Sequence, residues 1–210
     1  MPLSAPAALY VAAEAVAPKA GKLSYGIDVP GKDGTSVDLK TLSGVLAAAA
    51  LWSLRENGAA EIAFEEKKGM LGTKTRVAVR PRGGVQPPSA IEAELLQAAA
   101  DKPYAKDAVH RWLRTEHDNP WGVVASVVEG ELVQAGVLQP VAPQGKLGKL
   151  GALAGKRQKM AGNTEALVAI HPEVSAVVQR WFAFNQAEPQ LAQALVKECR
   201  DAIDSRLDTD

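Results

Sequence analysis

The feature of this sequence that most constrains its fold is a pattern that occurs twice: an apolar helical segment, a glycine and a short apolar strand. The first copy ends in "SLRENGAAEIAFEE" around Gly58, and the second is "ELVQAGVLQPV" around Gly136. A glycine after the last apolar helical position is typical of the left-handed residue that ends a helix. The two copies predict helices that are each followed directly by a strand.

The first copy begins with a long predicted helix and continues into a predicted hairpin. Asp38 is a favoured N-cap residue, and residues 39–57 place apolar side chains at helical spacing. Residues 60–81 form two alternating runs around a glycine-containing turn, which predicts a β-hairpin. The predicted inward-facing positions are Ile62, Phe64, Val77 and Val79. A helix followed by a hairpin is typical of a winged helix.

Two further predicted helices precede the second copy. Ser89 and Glu92 match a capping box, which predicts a helix start at that point. Another helix is predicted within residues 105–117. Asn119 and Pro120 are then a typical N-cap and first-turn proline for the helix of the second copy. Three helices and a strand predict a second winged-helix-like lobe.

The two ends of the chain are less regular. Residues 7–17 are apolar, and either a helix or a strand fits them. Residues 164–170, "TEALVAI", are predicted as a strand, with His171 and Pro172 starting the helix that follows. Pro189 starts the last predicted helix, whose apolar stripe steps by four residues. That stripe contains Leu191, Leu195, Cys199, Ile203 and Leu207.

Composition sets the size and class of the fold. The chain has 210 residues, of which 47% are apolar and only 5% aromatic, so small aliphatic side chains must fill the core. Abundant alanine favours helices over sheets. We therefore expect a mainly α protein with small β-hairpins, in which winged-helix-like units pack into a single helical domain over residues 1–210. A division into two lobes, residues 1–85 and 86–210, is the alternative.

Charge and hydropathy limit the location of the protein. The 24 Lys and Arg residues equal the 24 Asp and Glu residues, so no global field attracts the chain to nucleic acid or anionic lipid. One cysteine suits a reducing compartment. The N-terminal segment lacks the basic start of a signal peptide, and no run reaches the roughly 20 apolar residues of a membrane-spanning helix. We expect a cytoplasmic protein that can bind peripherally to a membrane.

Residue types that carry catalysis or bind metals do not form a site in the sequence. The seven-residue spacing of His110 and His117 is too long for shared zinc ligation, and neither they nor His171 have a completing cysteine or carboxylate pattern. Cys199 lies within an apolar stripe, which predicts a buried structural thiol rather than a nucleophile.

Gly155 and Lys156 resemble the end of a phosphate-binding P-loop. Leu150 stands where that motif requires a glycine, and Arg157 stands where it requires Ser or Thr. We therefore predict no catalytic residue, no metal site and no cofactor, and a protein that is not an enzyme.

Residues 143–163 are the most basic part of the chain. They contain five glycines, five bases and no acid, which predicts a flexible loop or a loose hairpin. The bases are Lys146, Lys149, Lys156, Arg157 and Lys159. Bases that alternate with leucines can contact an anionic membrane surface, each contributing about 1 kcal/mol. A solvated loop and a nucleic-acid contact are the alternatives, although the helix before Gly136 carries two acids and no base, which disfavours a DNA groove.

Several stretches of the sequence resemble the Golgi phosphoprotein 3 family and its bacterial relatives. Within residues 39–207 these are "LSGVLAAAALWSLRENGAAEI" followed by "TRVAV", then "AVHRWL" leading to "NPW", and "ELVQAGVL". The resemblance implies a mostly helical single domain with a β-hairpin, and a peripheral membrane adaptor rather than an enzyme. Eukaryotic members of that family bind phosphatidylinositol 4-phosphate and carry glycosyltransferase tails.

The chain departs from the family at the positions that contact lipid. By the same resemblance, the family arginines correspond to Ser43, Gly122 and Ala125. The resemblance therefore implies the fold and not the phosphoinositide site. It also places the basic segment where the family has a projecting hairpin used for contacts between subunits and near membranes.

The leading functional hypothesis is a non-catalytic intracellular interaction or adaptor protein that docks on anionic phospholipid through residues 146–159. The expected partner is an anionic membrane surface or another protein, with a homo-oligomer as a further option. The alternative is a winged-helix nucleic-acid-binding or regulatory protein. The scarcity of bases on the predicted recognition helices makes nucleic acid the less favoured partner.

Overall fold

The protein is mainly α-helical with small antiparallel hairpins, as the sequence predicted, and the described residues form three such hairpins. The structure is a computed structural model, and it describes residues 3–22, 24–69, 72–114, 118–141 and 159–207. The helices in this part are α1 (Ala5–Val11), α2 (Ala13–Val16), α3 (Leu39–Glu56), α4 (Ala90–Asp101), α5 (Ala105–Trp112), α6 (Pro120–Gln134), α7 (Thr164–Ala187) and α8 (Pro189–Asp204). The strands pair as β1 (Gly26–Asp28) with β2 (Ser36–Asp38), β3 (Ala60–Gly69) with β4 (Gly72–Pro81), and β5 (Leu138–Pro140) with β6 (Met160–Gly162).

Helix α3 lies at the centre of the fold and begins and ends where its sequence predicted. The Asp38 carboxylate accepts a hydrogen bond of 2.7 Å from the N–H of Thr41, and Gly58 follows the helix with a φ of 77°. Thirteen of the eighteen residues of α3 are buried, including the alanines at 47–50. Because alanine side chains are short, α1, α4, α6 and α8 can all pack closely around this helix.

The hairpin of β3 and β4 confirms the predicted alternation with one exception. Ile62 pairs with Val79 and Phe64 with Val77. Ile62, Val77 and Val79 are buried, whereas Phe64 on the same face is 42% exposed. The first part of the predicted inward face therefore lies over the core, and Phe64 extends beyond it.

Two predicted helix starts and one helix end in the second half are confirmed. The Ser89 hydroxyl accepts a hydrogen bond of 3.4 Å from the N–H of Glu92 at the start of α4. The Asn119 side chain accepts one of 2.9 Å from the N–H of Gly122 at the start of α6. Gly136 follows α6 with a φ of 73°. Helix α5 is shorter than predicted, because Arg114 adopts a φ of 58° just after it.

The N-terminal segment is helical, so of the two structures that fit its sequence, a helix or a strand, the helix is the one that forms. Ser4 caps α1 by accepting a hydrogen bond of 3.2 Å from the N–H of Ala7. The Glu131 carboxylate on α6 holds Ser4 in place, since it accepts from the Ser4 N–H at 2.9 Å and from its hydroxyl at 2.8 Å. Helix α1 packs against α3, α6 and α7.

The predicted strand "TEALVAI" is wrong, because these residues form the first two turns of α7. Asn163 caps the helix by accepting hydrogen bonds from the N–H groups of Glu165 and Ala166. Pro172 lies inside the helix and does not start it. A proline in a helix interior lacks one backbone donor, so the helix continues at the cost of that single bond.

The last helix places four of the five residues of its predicted stripe in the core. Leu191, Leu195, Cys199 and Ile203 on α8 are all buried, whereas Leu207 lies beyond the end of the helix and is half-buried. One hydrophobic cluster contains core residues of α1 and α3 together with those of α6, α7 and α8. No helix among the described residues is long and apolar enough to cross a bilayer.

Candidate functional site

Strands β5 and β6 hold the two ends of the basic segment together. Their pairing reaches Pro140 and Met160, and the Val141 N–H donates a hydrogen bond of 2.9 Å to the Lys159 carbonyl. Residues 142–158, between these points, lie outside the described part of the chain. That gap includes four of the five predicted lipid-contact residues, which are Lys146, Lys149, Lys156 and Arg157.

Lys159 is the predicted contact residue that the structure places. Its side chain is 72% exposed, and its amino group lies 3.1 Å from a carboxylate oxygen of Asp28 on β1. An ion pair this exposed contributes only about 0.5 kcal/mol. The Lys159 ammonium can therefore exchange Asp28 for another anion at little cost.

A cluster of aromatic and basic side chains lies on the same side of the molecule. Tyr25 is 57% exposed, and its ring centroid is 5.3 Å from that of Trp121 at the start of α6. The amino group of Lys40 lies 5.3 Å from the Trp121 ring centroid. Asp204 at the end of α8 accepts a hydrogen bond of 2.7 Å from the Trp121 indole N–H and lies 2.9 Å from the Lys40 amino group. Asp204 thereby fixes both side chains.

A hollow of about 290 Å³ separates this cluster from Lys159. Tyr25, Asp28 and Lys159 line its rim, and the buried Tyr10 and Glu129 lie deeper, where the Tyr10 hydroxyl donates to the Glu129 carboxylate. The charged side chains that line the hollow are therefore two acids, Asp28 and Glu129, and one base, Lys159. The hollow is therefore unsuited to holding an anionic headgroup, and the exposed rim is the better candidate for contact with one.

The three positions that the resemblance matches to family arginines carry no cationic side chain. Ser43 is buried, and its hydroxyl donates to the Lys40 carbonyl at 3.0 Å. Ala125 is fully buried in α6. A side chain at Gly122 would meet the Asn119 side chain at 2.7 Å, so the cap of α6 needs glycine there. The phosphoinositide contacts of the family have no equivalent at these three positions.

Of the candidate nucleophile and metal ligands, the structure describes Cys199, His110 and His171. Burial, and to a smaller extent the charge of Glu198, raise the pKa of the Cys199 thiol well above its usual range, so it stays protonated. His110 is on α5, His171 is exposed on α7, and His117 lies outside the described residues. Within the described ranges, no three His, Cys, Asp or Glu side chains are placed to hold a metal ion.

The sequence did not single out Tyr25, Lys40 or Trp121 as a cluster. Tyr25 and Trp121 are 96 positions apart in the chain, and only the packing of α3 against α6 brings their neighbourhoods together. One signal was present. With aromatic residues at 5% of the chain, a tyrosine in the polar stretch "KLSYGIDVPGKDG" is unusual and marks an exposed aromatic side chain.

Comparison with known proteins adds no relative. No family model, curated protein or solved structure matches this chain.

Proposed function

We propose that the protein is a non-catalytic interaction or adaptor protein that docks on an anionic phospholipid surface through its basic segment. One observation carries the proposal: residues 143–163 contain five bases and no acid, and one of these bases, Lys159, lines the same surface hollow as the exposed Tyr25. Basic residues near an anionic bilayer contribute about 1 kcal/mol each. Tyrosine is favoured at membrane interfaces because its ring is apolar and its hydroxyl remains hydrated.

The paired surface bases do not supply the excess charge. Lys40 is paired with Asp204 and Lys159 with Asp28, so the described rim is close to neutral. The excess comes from the four bases at 146, 149, 156 and 157. In this proposal they provide the attraction, and Tyr25 with Lys159 provides the nearest part of the folded surface.

The packing of the two candidate recognition helices favours this proposal over DNA binding. Helix α3 is the central core helix and has only Lys40 and Arg55 as bases. Helix α6 has none. A helix surrounded by other helices cannot enter the major groove, and a reading helix without bases lacks the phosphate contacts that dominate affinity.

The test is co-sedimentation with vesicles of phosphatidylcholine alone and of phosphatidylcholine mixed with phosphatidylserine. We expect pelleting that rises with the phosphatidylserine content and falls with added salt, since the attraction is screened. A variant with the five segment bases changed to Gln should lose it. A matched control removes five exposed bases elsewhere, and these are Lys74, Lys102, Arg180, Lys197 and Arg200.

The control variant is expected to pellet like the unmodified protein. Pelleting that is absent at every phosphatidylserine content, or that falls equally in both variants, would contradict docking through the basic segment.

A further inference from the structure

The outer edge of β3 presents backbone groups that no strand pairs with. On β4, the Val79 N–H donates to the Pro103 carbonyl at 2.9 Å, and the Val77 N–H donates to the Glu198 carboxylate at 3.0 Å, so both point away from β3. In an antiparallel pair, two opposite residues direct their backbone groups either both inward or both outward. Ile62 and Phe64, opposite Val79 and Val77, therefore direct their N–H and C=O groups away from β4.

The two edges of this hairpin differ in how they are covered. Pro103 and Glu198 satisfy the outer edge of β4. Within the described part of the chain, β3 pairs with β4 alone, and no hydrogen bond reaches the outward groups of Ile62 and Phe64. An open strand edge is a template for another strand, and proteins usually shorten, charge or cover it.

A groove of about 750 Å³ runs along this open edge. One wall is the β3 edge at residues 60–64, and the other is the junction of α7 and α8 at residues 187–191. Phe64, 42% exposed, provides an apolar contact beside the open backbone groups. A groove of this size accommodates several side chains of an extended segment.

Arg55 lines the same groove and has an unused donor. Its Nη2 donates to the Glu188 carboxylate at 2.7 Å, whereas its Nη1 is buried and has no acceptor. The guanidinium lies 5.7 Å from the Phe184 ring centroid. Because 32% of the Arg55 side chain is exposed, a rotation of the guanidinium can bring Nη1 to an incoming carboxylate.

We propose that this groove binds an extended, carboxylate-bearing polypeptide segment of a partner protein, which adds a third strand beside β3. The open N–H and C=O groups recur at alternate residues, and an extended polypeptide has the complementary groups at the same spacing. Apolar side chains at alternate positions of the segment pack on Phe64. A carboxylate of the segment accepts a hydrogen bond from the Arg55 Nη1, since Glu188 pairs with Nη2 only.

A second copy of this chain fits the edge less well than a separate segment. If two copies paired their β3 edges about a two-fold axis, residues 187–191 of each copy would occupy the space needed by the other copy. A free extended segment has no such wall. Self-pairing is therefore an outcome that the experiment must detect, not the occupant we propose.

The first test selects short random peptides that bind the full chain from a display library, then measures a selected peptide by fluorescence anisotropy. N-methylation of the peptide amides that face β3 is expected to weaken binding about tenfold per lost hydrogen bond. N-methylation of the intervening amides should have little effect. Failure to select any peptide, or an effect without this alternation, would overturn the proposal.

The second test uses a matched pair of proline variants. Phe64→Pro removes an outward N–H on the open edge together with the Phe64 ring and leaves the β3–β4 bonds intact, so Phe64→Ala, which removes the ring alone, is measured beside it. Thr75→Pro removes an outward N–H on the opposite edge of the hairpin. Thr75 pairs with Glu66, two residues from the Phe64–Val77 pair, so its N–H also points away from the partner strand. Peptide affinity should fall at least about tenfold in Phe64→Pro and stay unchanged in Thr75→Pro. Equal affinity in both variants would refute strand addition.

Amide hydrogen exchange of the unmodified protein tests the same point without a variant. The exchange of Ile62 and Phe64 amides should slow when the peptide is added, and unchanged exchange would overturn the proposal. Sedimentation velocity supplies the remaining outcome: self-association that is lost in Phe64→Pro and kept in Thr75→Pro would assign the edge to a second copy instead. Peptide binding should survive in the five-glutamine variant, so this proposal and lipid docking can fail separately.

Discussion

The side chain that caps α6 occupies the space next to Gly122. Atoms of Asn119 would lie 2.7 to 3.2 Å from a Cβ at that position. A larger residue at Gly122 must therefore displace the cap. An arginine at this position would require the Asn119 side chain to move away from the start of α6.

Gly122→Ala is expected to be less stable than Gly130→Ala in the same helix. Both changes gain helix propensity, but the first also disturbs the Asn119 cap, which should lower its free energy of unfolding by about 1 kcal/mol relative to the second. At Gly130 no atom lies within 4 Å of an added Cβ, so the helix gains roughly 0.5–1 kcal/mol. Urea unfolding of the two variants measures both values. Equal effects of the same sign would contradict the role given to Asn119.

Glu92 is a buried acid on α4, and the polar side chains that act on its carboxylate are the hydroxyls of Ser53 and Ser89. Burial raises the pKa of Glu92, and the nearby Ser53 and Ser89 hydroxyls lower it by less. An acid whose pKa is higher in the folded state than in the unfolded state favours folding when protonated. The free energy of unfolding therefore decreases as the pH rises from the pKa of the unfolded state through the pKa of the folded state, because the buried carboxyl must then become charged.

Glu92→Gln should therefore be more stable than the unmodified protein at neutral pH, because it removes the cost of a buried charge. Near pH 4, where Glu92 is protonated in the folded state, the difference should shrink. Urea unfolding at both pH values measures this. A difference that is the same at the two pH values would mean that the charge of Glu92 does not affect stability.

At the scale of helices and strands, cap residues were sufficient to predict where a helix begins or ends. Asp38 with Gly58, Ser89, and Asn119 each predicted a helix boundary that the structure confirms. The cap at Asn163 was overlooked because a proline eight residues into α7 suggested a later start. Propensity and spacing cannot show that neighbouring helices will hold a helix together across an interior proline.

Pro172→Ala tests how much that proline costs α7. The substitution restores a backbone donor opposite the Val168 carbonyl, so we expect the free energy of unfolding to rise, by up to about 3 kcal/mol. Pro189→Ala is the control, since a proline at the first position of α8 removes no helical hydrogen bond. Thermal unfolding followed by circular dichroism measures both. A loss of stability in Pro172→Ala would show that packing has adapted to the proline.

The candidate site was less predictable than the fold. The five bases at 146–159 were visible in the sequence because charge is a local property. The contacts of Tyr25, Lys40 and Trp121, and the open edge of β3, depend on which distant elements pack together. Charge patterns and helix caps do not contain that information.

Across the whole molecule, Glu198 ties the hairpin to two helices. From α8 it accepts hydrogen bonds from the Val77 N–H on β4 at 3.0 Å and from the Lys106 N–H on α5 at 3.2 Å. The Arg76 Nε lies 3.2 Å from the Glu198 Oε1. Burial lowers the pKa of Arg76, but Glu198 and Asp107 together raise it above its usual value. The Arg76 guanidinium therefore stays charged in this network.

Glu198→Ala should lower the free energy of unfolding by about 2 kcal/mol, because it leaves the Val77 and Lys106 N–H groups without an acceptor and leaves Arg76 paired with Asp107 alone. Glu61→Ala removes an exposed pair with Arg82 in the same hairpin and should cost about 0.5 kcal/mol or less. Urea unfolding measures the difference. Faster amide exchange at Val77 in Glu198→Ala would locate the loss, and similar costs for both variants would contradict the role of Glu198.

The junction of β5 and β6 has a consequence for how this protein can vary. Since Val141 and Lys159 are hydrogen-bonded to each other, the chain between them starts and ends at one place on the surface. Closing a loop of doubled length costs only about 0.6 kcal/mol more. Insertions, deletions or whole replacements of residues 142–158 should therefore leave the helical body folded. The same helical body should therefore tolerate segments of different length and charge at this junction.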